Sequence, residues 1–458
     1  MGNNLILTCA LESGKAGPFT MDPLEIAMMS AKSVDPETGL LRDDPGCWTN
    51  WEPVELGAGS AIVCAREGYR YRVSCYRGGY DESLSREYCY DEESNWTMLA
   101  SSTKLGEWLT GTSTFPQDCF IRITVQCIDG SPAACPRTVG DAIELKYVEP
   151  AFEPMPGWAE SEVDHVASRI EEVREPGDLV LVVMSDIHYS TGCIWPQTAR
   201  NVHAVVDRIR PDAIVQLGDV SDGMAPADVT ISFVTRVLGD LQRCGVPVHS
   251  CVGNHDTNYF GSNDQPFSKG DCARLYLDCD DPYYYVDFAD ARTRCVFLDS
   301  FEQKRKERYG FSSHEVRWLK RVLKTLPHGW KVLVFAHVPP LPEIHYWSDK
   351  ILNGDRLLSV LSRFDRARRG AVLGYVHGHS HVDQVYRKPG VPFPIVSIGC
   401  AKFEDFEECK PPGSFTPKRV LGDASQDLWD VLVVKPGSNK LEFVRFGAGE
   451  DKSVAKRG

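Results

Sequence analysis

Five short apolar runs in this 458-residue chain each end in a group of Asp, Asn or His. The endings are Asp186-Ile187-His188, Gly218-Asp219 with Asp222 shortly after, Gly253-Asn254-His255-Asp256, Ala336-His337, and Gly378-His379-Ser380-His381. Oxygen and imidazole donors dominate, and no thiolate is among them. That donor set suits Mn, Fe, Zn, Co or Ni better than a soft metal. Asp, Asn and His with coordination positions to spare suit hydrolysis rather than a closed structural site. One D-x-H recurs by chance, and a lone buried histidine is more often a satisfied core residue. The weight comes from five such groups at five comparable places.

The elements that must position these residues are also legible. Residues 179–185 form a largely apolar run after Gly177, as expected of a fully buried strand. Runs at 212–217, 246–252, 331–335 and 371–376 precede the other four groups. Residues 199–209, 228–244, 312–326 and 355–363 carry helical spacing, the third opened by a Ser312/Glu315 capping box. This alternation predicts an α/β core with its ligands at the C-terminal ends of strands, where open α/β sheets bind theirs. Residues 284–288 and 295–298 read as an antiparallel pair. Late strands at 395–398, 428–434 and 441–446 predict a second, partly antiparallel sheet, and 257–283 reads as an insertion.

Residues 1–150 have another texture. Short alternating runs at 69–76 and 120–127, with turn-rich segments at 77–80 and 128–131, predict an all-β antiparallel sandwich. Trp48, Trp51, Trp96 and Trp108 suit sugar stacking or core packing, and packing is the commoner use. The layout resembles jelly-roll-like accessory modules that precede enzymes in some bacterial and prophage proteins. Three prolines between 150 and 156 read as a linker. Val163, Val166, Ile170 and Val173 follow at helical spacing. The expected division is a β-sandwich at 1–150, a linker and lead-in helix at 151–178, and the α/β domain at 179–458.

Hydrophobic residues make up 42% of the chain and charged residues 25%, enough for a sizeable core. A formal net charge of -14 gives no general help in binding nucleic acid or an anionic membrane. A phosphate substrate would need a local positive centre, which metal ions can supply. The 16 cysteines include no C-x-x-C pair, so free thiols in a reducing compartment are expected. The opening residues lack a basic segment and a long apolar run, and no stretch of membrane-spanning length follows. A cytoplasmic protein without a membrane partner is therefore expected. The Asn95 sequon carries no weight without secretion, and Ile6 does not fit a myristoylation signal.

In order, spacing and strand-end placement, the five groups resemble the calcineurin-like metallophosphoesterase superfamily over about residues 179–450. The resemblance implies two packed β-sheets flanked by helices, with two divalent metal ions at the strand ends. Asp186, His188 and His381 would hold the first metal. Asn254, His337 and His379 would hold the second, and Asp219 would bridge the two. His255 matches the family's general-acid histidine, with Asp256 orienting it. The tail from Trp429 to Asp451 resembles the ending of bacterial and prophage members.

Two bridged divalent ions can share a water and lower its pKa toward ~7, giving a bridging hydroxide that attacks phosphorus. The leaving oxygen then needs a proton, for which His255 is the natural donor. The expected activity is hydrolysis of a small-molecule phosphodiester or phosphomonoester. The diester is favoured because no phosphate-clamping arginine lies near the motifs. The alternative is a phage- or glycan-associated binding protein, attached through a glycan or protein partner of residues 1–150, with the phosphoesterase domain auxiliary. A nucleic-acid substrate is disfavoured by the charge. Asp222 reads as a supporting carboxylate and His377 as a strand-end residue, while His203, His249 and His314 fall outside the groups. Tyr189, Asn258, Tyr259 and Phe260 are candidate pocket residues. Tyr283–Tyr285, Trp347 and the basic run from Lys304 to Arg308 read more simply as loop residues.

Overall fold

The computed structural model describes residues 28–35, 41–50, 54–56, 61–77, 97–101, 108–110, 113–114, 119–129, 136–146, 155–189, 193–260, 263–279, 281–302, 306–345, 348–404 and 418–456. Trp51, Trp96, the Asn95 sequon, Trp347, Lys304 and the start of the chain lie outside them. Two compact units are distinguished. One comprises residues 1–156 with 190–193 and 231–236, and the other holds the remainder.

In the first unit the strands are β1 (Met28–Val34), β2 (Leu41–Asn50), β3 (Val54–Leu56), β4 (Ala61–Ala65), β5 (Tyr69–Arg77), β6 (Thr97–Ser101), β7 (Ser113–Thr114), β8 (Cys119–Cys127) and β9 (Ile143–Lys146), with a short helix α1 (Val139–Ala142). One antiparallel sheet runs β1-β2-β8-β5-β6, with β3 also on β8, and a smaller one runs β7-β4-β9. Alternation along β5 and β8 puts Tyr71, Val73, Ile123 and Val125 on a shared core with Trp48 and Ile143. Trp48 is thus a packing residue. Trp108 is half-buried under the guanidinium groups of Arg70 and Arg72.

The second unit opens with the expected lead-in helix, α2 (Gly157–Val173), and β10 (Leu179–Met184). There follow α3 (Trp195–Ile209), β11 (Ala213–Gln216), α4 (Ala227–Gln242), β12 (Val248–Ser250), α5 (Lys269–Leu277), β13 (Tyr284–Phe288) and β14 (Thr293–Leu298). The remainder is α6 (Ser313–Lys324), β15 (Lys331–Ala336), α7 (Gly354–Ala367), β16 (Val372–His377), β17 (Asp383–Tyr386), β18 (Ile395–Ile398), β19 (Leu428–Lys435), β20 (Lys440–Gly447) and β21 (Lys452–Ala455). Two six-stranded sheets result, in the orders β12-β11-β10-β19-β20-β21 and β13-β14-β15-β16-β18-β17.

Period-two alternation explains how the sheets meet. Leu179, Leu181 and Val183 of β10 face a core shared with Phe297, Phe335 and Val376 of the other sheet. The opposite face of the second sheet packs under α6 and α7 through Val334, Tyr375, Leu319 and Leu357. The predicted pair β13–β14 is antiparallel, with Tyr284 opposite Phe297. The Ser312/Glu315 capping box opens α6.

Two expectations change. The second, partly antiparallel sheet is present, but the late strands are divided between the two sheets: β18 pairs with β16, and β19 returns to pair antiparallel with β10, Leu181 opposite Leu432. The insertion contains a helix, α5, capped by Ser268 and Asp271.

A buried ion cluster joins the sheets, with Lys452 of β21 also beside Asp383 and Asp430. The Arg445 guanidinium on β20 meets Asp430 of β19 at 2.9 Å and Asp383 of β17, in the other sheet, at 3.2 Å. Arg445→Met leaves two buried carboxylates short of their main partner. It is expected to cost about 3–5 kcal/mol, read as a lower denaturant midpoint at unchanged slope.

Candidate metal centre

The ligand-bearing loops continue the backbone pairing of their strands. Past the end of β10, the amides of Asp186, His188 and Tyr189 donate to the carbonyls of Gly218, Asp219 and Val220 at 3.0, 2.9 and 2.8 Å. In the other sheet Gly378 N–H donates to His337 O at 3.1 Å. The loop after β18 joins the two sets, Ala401 N–H donating to Ser185 O and Lys402 N–H to Asp186 O. Asp186, His188, Asp219, His379 and His381 all have φ between 45° and 65°. Non-glycine residues hold that conformation only where surrounding structure imposes it, and such residues gather at functional sites. Two glycines make room. A Cβ on Gly253 would lie 2.1 Å from Asp219 Oδ1, and one on Gly378 would lie 2.4 Å from Asp186 Oδ2.

The seven expected ligands come together as two adjoining groups. Donor atoms of Asp186, His188 and His381 lie within 4.8 Å of one another, as do those of Asp219, His337 and His379. In the first group His188 Nε2 is 3.1 Å from His381 Nε2, which is 3.3 Å from Asp186 Oδ1. In the second, His337 Nε2 is 3.0 Å from Asn254 Oδ1, 3.1 Å from Asp219 Oδ2 and 3.2 Å from His379 Nδ1. Asp219 belongs to both neighbourhoods, since Oδ2 is also 3.7 Å from His188 Nε2. Its Oδ1 accepts from His255 N–H at 2.8 Å.

These groups suit cations. His337 Nδ1 faces the Leu217 carbonyl at 3.0 Å, which can only accept, so Nδ1 carries the proton. When it carries no second proton, Nε2 presents a lone pair toward a carboxylate, an amide oxygen and another imidazole. Burial opposes ionisation of Asp219, yet His337, His255 and His188 hold its carboxyl far below the ordinary value. Burial also opposes the charge on His337, but Asp219 and Asp186 push that imidazole up to about 9. A proton is held where several donors converge, as a bound cation would be. The donor chemistry therefore fits a divalent ion in each group.

His255 stands at the edge of the centre. Its Nδ1 lies 2.6 Å from the Asp222 carbonyl, and its ring stacks on Phe260 with centroids 3.9 Å apart. Burial pushes it down to about 4. Asp256 does not have its expected place beside this ring. Its carboxylate accepts instead from the amides of Asp219, Val220 and Gly253 at 2.9, 2.8 and 2.8 Å, fixing the loop after β11 against the loop after β12. The main-chain oxygen of Asp222 orients His255. The side chain of Asp222 serves the first group, with Oδ1 3.0 Å from His188 Nδ1.

Two residues were not visible as site residues in the sequence. Glu404 is buried and accepts from His381 Nδ1 at 2.9 Å. His345, also buried, meets His379 Nε2 at 2.9 Å. Cys400 shares the surroundings of Glu404, but burial raises its thiol, which donates to Asp186 O at 3.3 Å. His377 bonds the Gly378 carbonyl.

The pocket candidates divide. Tyr189 and Asn258 are buried, and Asn258 is bonded to Thr230 and Gln265. Tyr259 and Phe260 are half-buried. The Arg308 guanidinium lies over Tyr259, 4.9 Å from the ring centre. Tyr283 and Tyr284 bond His314 and the Ser250 carbonyl within the loop packing.

Residues 179–383 match the family model of the calcineurin-like phosphoesterases. No curated protein matches the chain in sequence. Among solved structures it is similar to a dimetal phosphatase from Danio rerio, at 18% identity over 62% of this chain and 100% of that one, with a TM-score of 0.47. A purple acid phosphatase from yellow lupin seeds aligns at 10% identity over 94% of this chain and 74% of that one, with a TM-score of 0.43. No described helix is long and apolar enough to cross a membrane.

A divalent ion must displace the proton that His337 holds below about pH 9. Metal affinity is therefore expected to rise with pH from neutrality toward that value, by up to about tenfold per unit for each proton released, and to level off above it. Titration of the metal-stripped protein at several pH values tests this. An affinity independent of pH would contradict it.

Proposed function

Because residues 179–383 match the family model of the calcineurin-like phosphoesterases, we propose that the chain hydrolyses phosphoric esters at two divalent metal ions held by Asp186, His188, Asp219, Asn254, His337, His379 and His381. The observation that carries this reading is Asp219, whose Oδ2 lies 3.1 Å from His337 and 3.7 Å from His188, one residue of each group. The family match falls on the hydrolytic domain, which favours the enzyme over a binding protein with an auxiliary domain. When bound, paired divalent ions polarise a phosphoryl oxygen and lower the pKa of a shared water toward ~7.

The remaining work falls to the chain. With Asn254 Oδ1 turned to His337, its NH2 is left to donate to a phosphoryl oxygen. His255 is held at Nδ1 by the Asp222 carbonyl, so Nε2 is the atom that passes a proton to the leaving oxygen. Burial disfavours the charged ring, and the negative charge of a bound phosphate opposes that effect. The stack on Phe260 keeps the ring plane fixed. A diester is the favoured substrate, since the nearby cations among the described residues already have partners: Lys402 lies 3.8 Å from Asp222 Oδ1, and Arg308 is bonded to the Tyr259 hydroxyl.

Turnover of bis-p-nitrophenyl phosphate with Mn²⁺ is expected, and Asp219→Asn should abolish it together with metal loading. Failure with all of Mn²⁺, Zn²⁺, Ni²⁺, Co²⁺ and Mg²⁺ would refute the reading. His255→Ala should retain metal and lose about 10²–10⁴-fold on alkyl esters, while p-nitrophenyl esters, which need little proton donation, lose far less. In the wild type the ratio of alkyl to aryl rates should fall as pH rises above the value near 4 at which His255 loses its proton. In His255→Ala that ratio should be flat.

A further inference from the structure

A run of aromatic rings leads away from His255. Its imidazole stacks on Phe260 with centroids 3.9 Å apart, and Phe260 lies 4.5 Å from Tyr259. The Arg308 guanidinium covers the Tyr259 ring at 4.9 Å and bonds its hydroxyl. Two loops hold this run in place. Asn258 is buried, has φ 52° and is bonded to Thr230 and Gln265, and the next two residues, Tyr259 and Phe260, are left half-buried. Phe260 N–H donates to the Gly223 carbonyl at 3.1 Å. Past β14, Glu302 N–H donates to Arg308 O at 2.7 Å and Gly310 N–H to Ser300 O at 2.8 Å. Phe301 is thereby paired with Tyr309, and the backbone of Arg308 is fixed. The Phe301 ring stands 5.9 Å from that of Tyr259.

The charge of Arg308 is placed but not cancelled. The chain is acidic, with 64 Asp and Glu against 50 Lys and Arg. Lys402 and Arg445 both face carboxylates. Arg308 is exposed, and among the described residues it meets a ring and a hydroxyl but no carboxylate. Neutral partners of this kind orient a guanidinium and leave its charge intact. His255 gives its proton to the leaving oxygen, so the residues packed on His255 border the leaving alcohol. Phe260 and Tyr259 separate Arg308 from His255 along the run, which directs the guanidinium to the leaving alcohol rather than to the transferred phosphate. We propose that Arg308, held by Tyr259, is a specificity-determining residue that selects phosphodiesters whose leaving alcohol carries a second anionic group, a carboxylate or a phosphate. The proposal rests on the hydrolytic reading above and adds the class of leaving group.

Each part of the run has a use in such a substrate. The planar guanidinium binds a carboxylate or a phosphate through two parallel N–H bonds. Because Tyr259 already sets its plane, less side-chain freedom is lost on binding. Phe260 and Tyr259 offer ring surface to the body of the alcohol, between the leaving oxygen and the anion. The exposure of Arg308 keeps the attraction modest and sensitive to salt.

The full chain with Mn²⁺, assayed on a set of methyl aryl phosphodiesters, tests this. The leaving groups are m-hydroxybenzamide, m-hydroxybenzoate and m-hydroxyphenylphosphonate, the last a stand-in for phosphate that cannot itself be hydrolysed. The readout is the ratio of kcat/KM for each anionic ester to that for the neutral amide. Comparing this ratio between wild type and variant cancels the intrinsic reactivity of the esters. Arg308→Gln should lower it about tenfold for at least one anion, chiefly through KM. The anion with the larger fall identifies the group. Arg308→Lys, which keeps the charge without the fork, should lower it less. Tyr259→Leu, which removes the support, should lower it toward the Arg308→Gln value. The wild-type ratio should also shrink at high salt. A ratio left unchanged by Arg308→Gln for both anions would overturn the proposal. So would an equal loss of rate on all the esters, the mark of a purely structural role. If bis-p-nitrophenyl phosphate is turned over in either case, the hydrolytic reading survives and this proposal alone fails. No turnover of any ester would overturn the hydrolytic reading and this proposal with it.

Discussion

The structure of the centre depends on one carboxylate being held between two sets of imidazoles. Asp219 cannot move toward either set without losing the other. Its Oδ1 is taken by the amide of His255, and Oδ2 is left to face His337 and His188. Asp256 holds the backbone of Asp219 through its own amide, and Gly253 admits the carboxylate because it has no side chain. These constraints come from the loops after β11 and β12, neighbouring parallel strands of one sheet. His337 comes from the other sheet, so the packing of the two sheets sets the distance across the carboxylate. The hydrophobic core between Val183, Phe335 and Val376 thus acts on the centre directly.

That arrangement is held against backbone preference. Five of the expected ligands adopt the left-handed conformation, which costs an ordinary residue roughly 1–3 kcal/mol at each position. What offsets it is the pairing that runs past the strand ends, from Asp186 to Gly218, His188 to Asp219 and Gly378 to His337. Each bond satisfies a buried polar group whose loss would cost about 1–3 kcal/mol, a cost of the same size as the strain. Asn254 reaches the centre without such strain, at φ -77° in the tight turn that follows β12, so the strain belongs to the other loops.

The expected ligands were legible as a converging set because each follows an apolar run, and a buried strand leaves a clear mark in sequence. Their supports were not. Glu404 lies 23 residues beyond His381 in an acidic segment without periodicity, and His345 lies 34 residues before His379. The Asp222 carbonyl that holds His255 has no signature at all, since every residue carries one. Asp256 was misread because it adjoins His255. In the tight turn at His255–Thr257 neighbouring side chains diverge, and the carboxylate turns back to amides. The α/β core followed from alternation of strands and helices. The return of β19 to β10 did not, because periodicity marks a strand and is silent about its partner.

The electrostatics of the metal-free centre show what it lacks. Asp186, Asp219, Asp222 and Glu404 are all buried, and ionised carboxylates out of water are costly unless compensated. The chain compensates by holding protons. His337 is pushed up to about 9 despite burial. Asp256, buried and facing Asp219, is pushed up to about 7 against the pull of the amides it accepts from. The proton on His337 sits among the expected ligands, drawn there by Asp219 and Asp186. A proton answers the need for positive charge at one atom only. The converging donors of His337, His379, Asn254 and Asp219 ask for a charge that several atoms can share, which a divalent ion supplies and a proton does not.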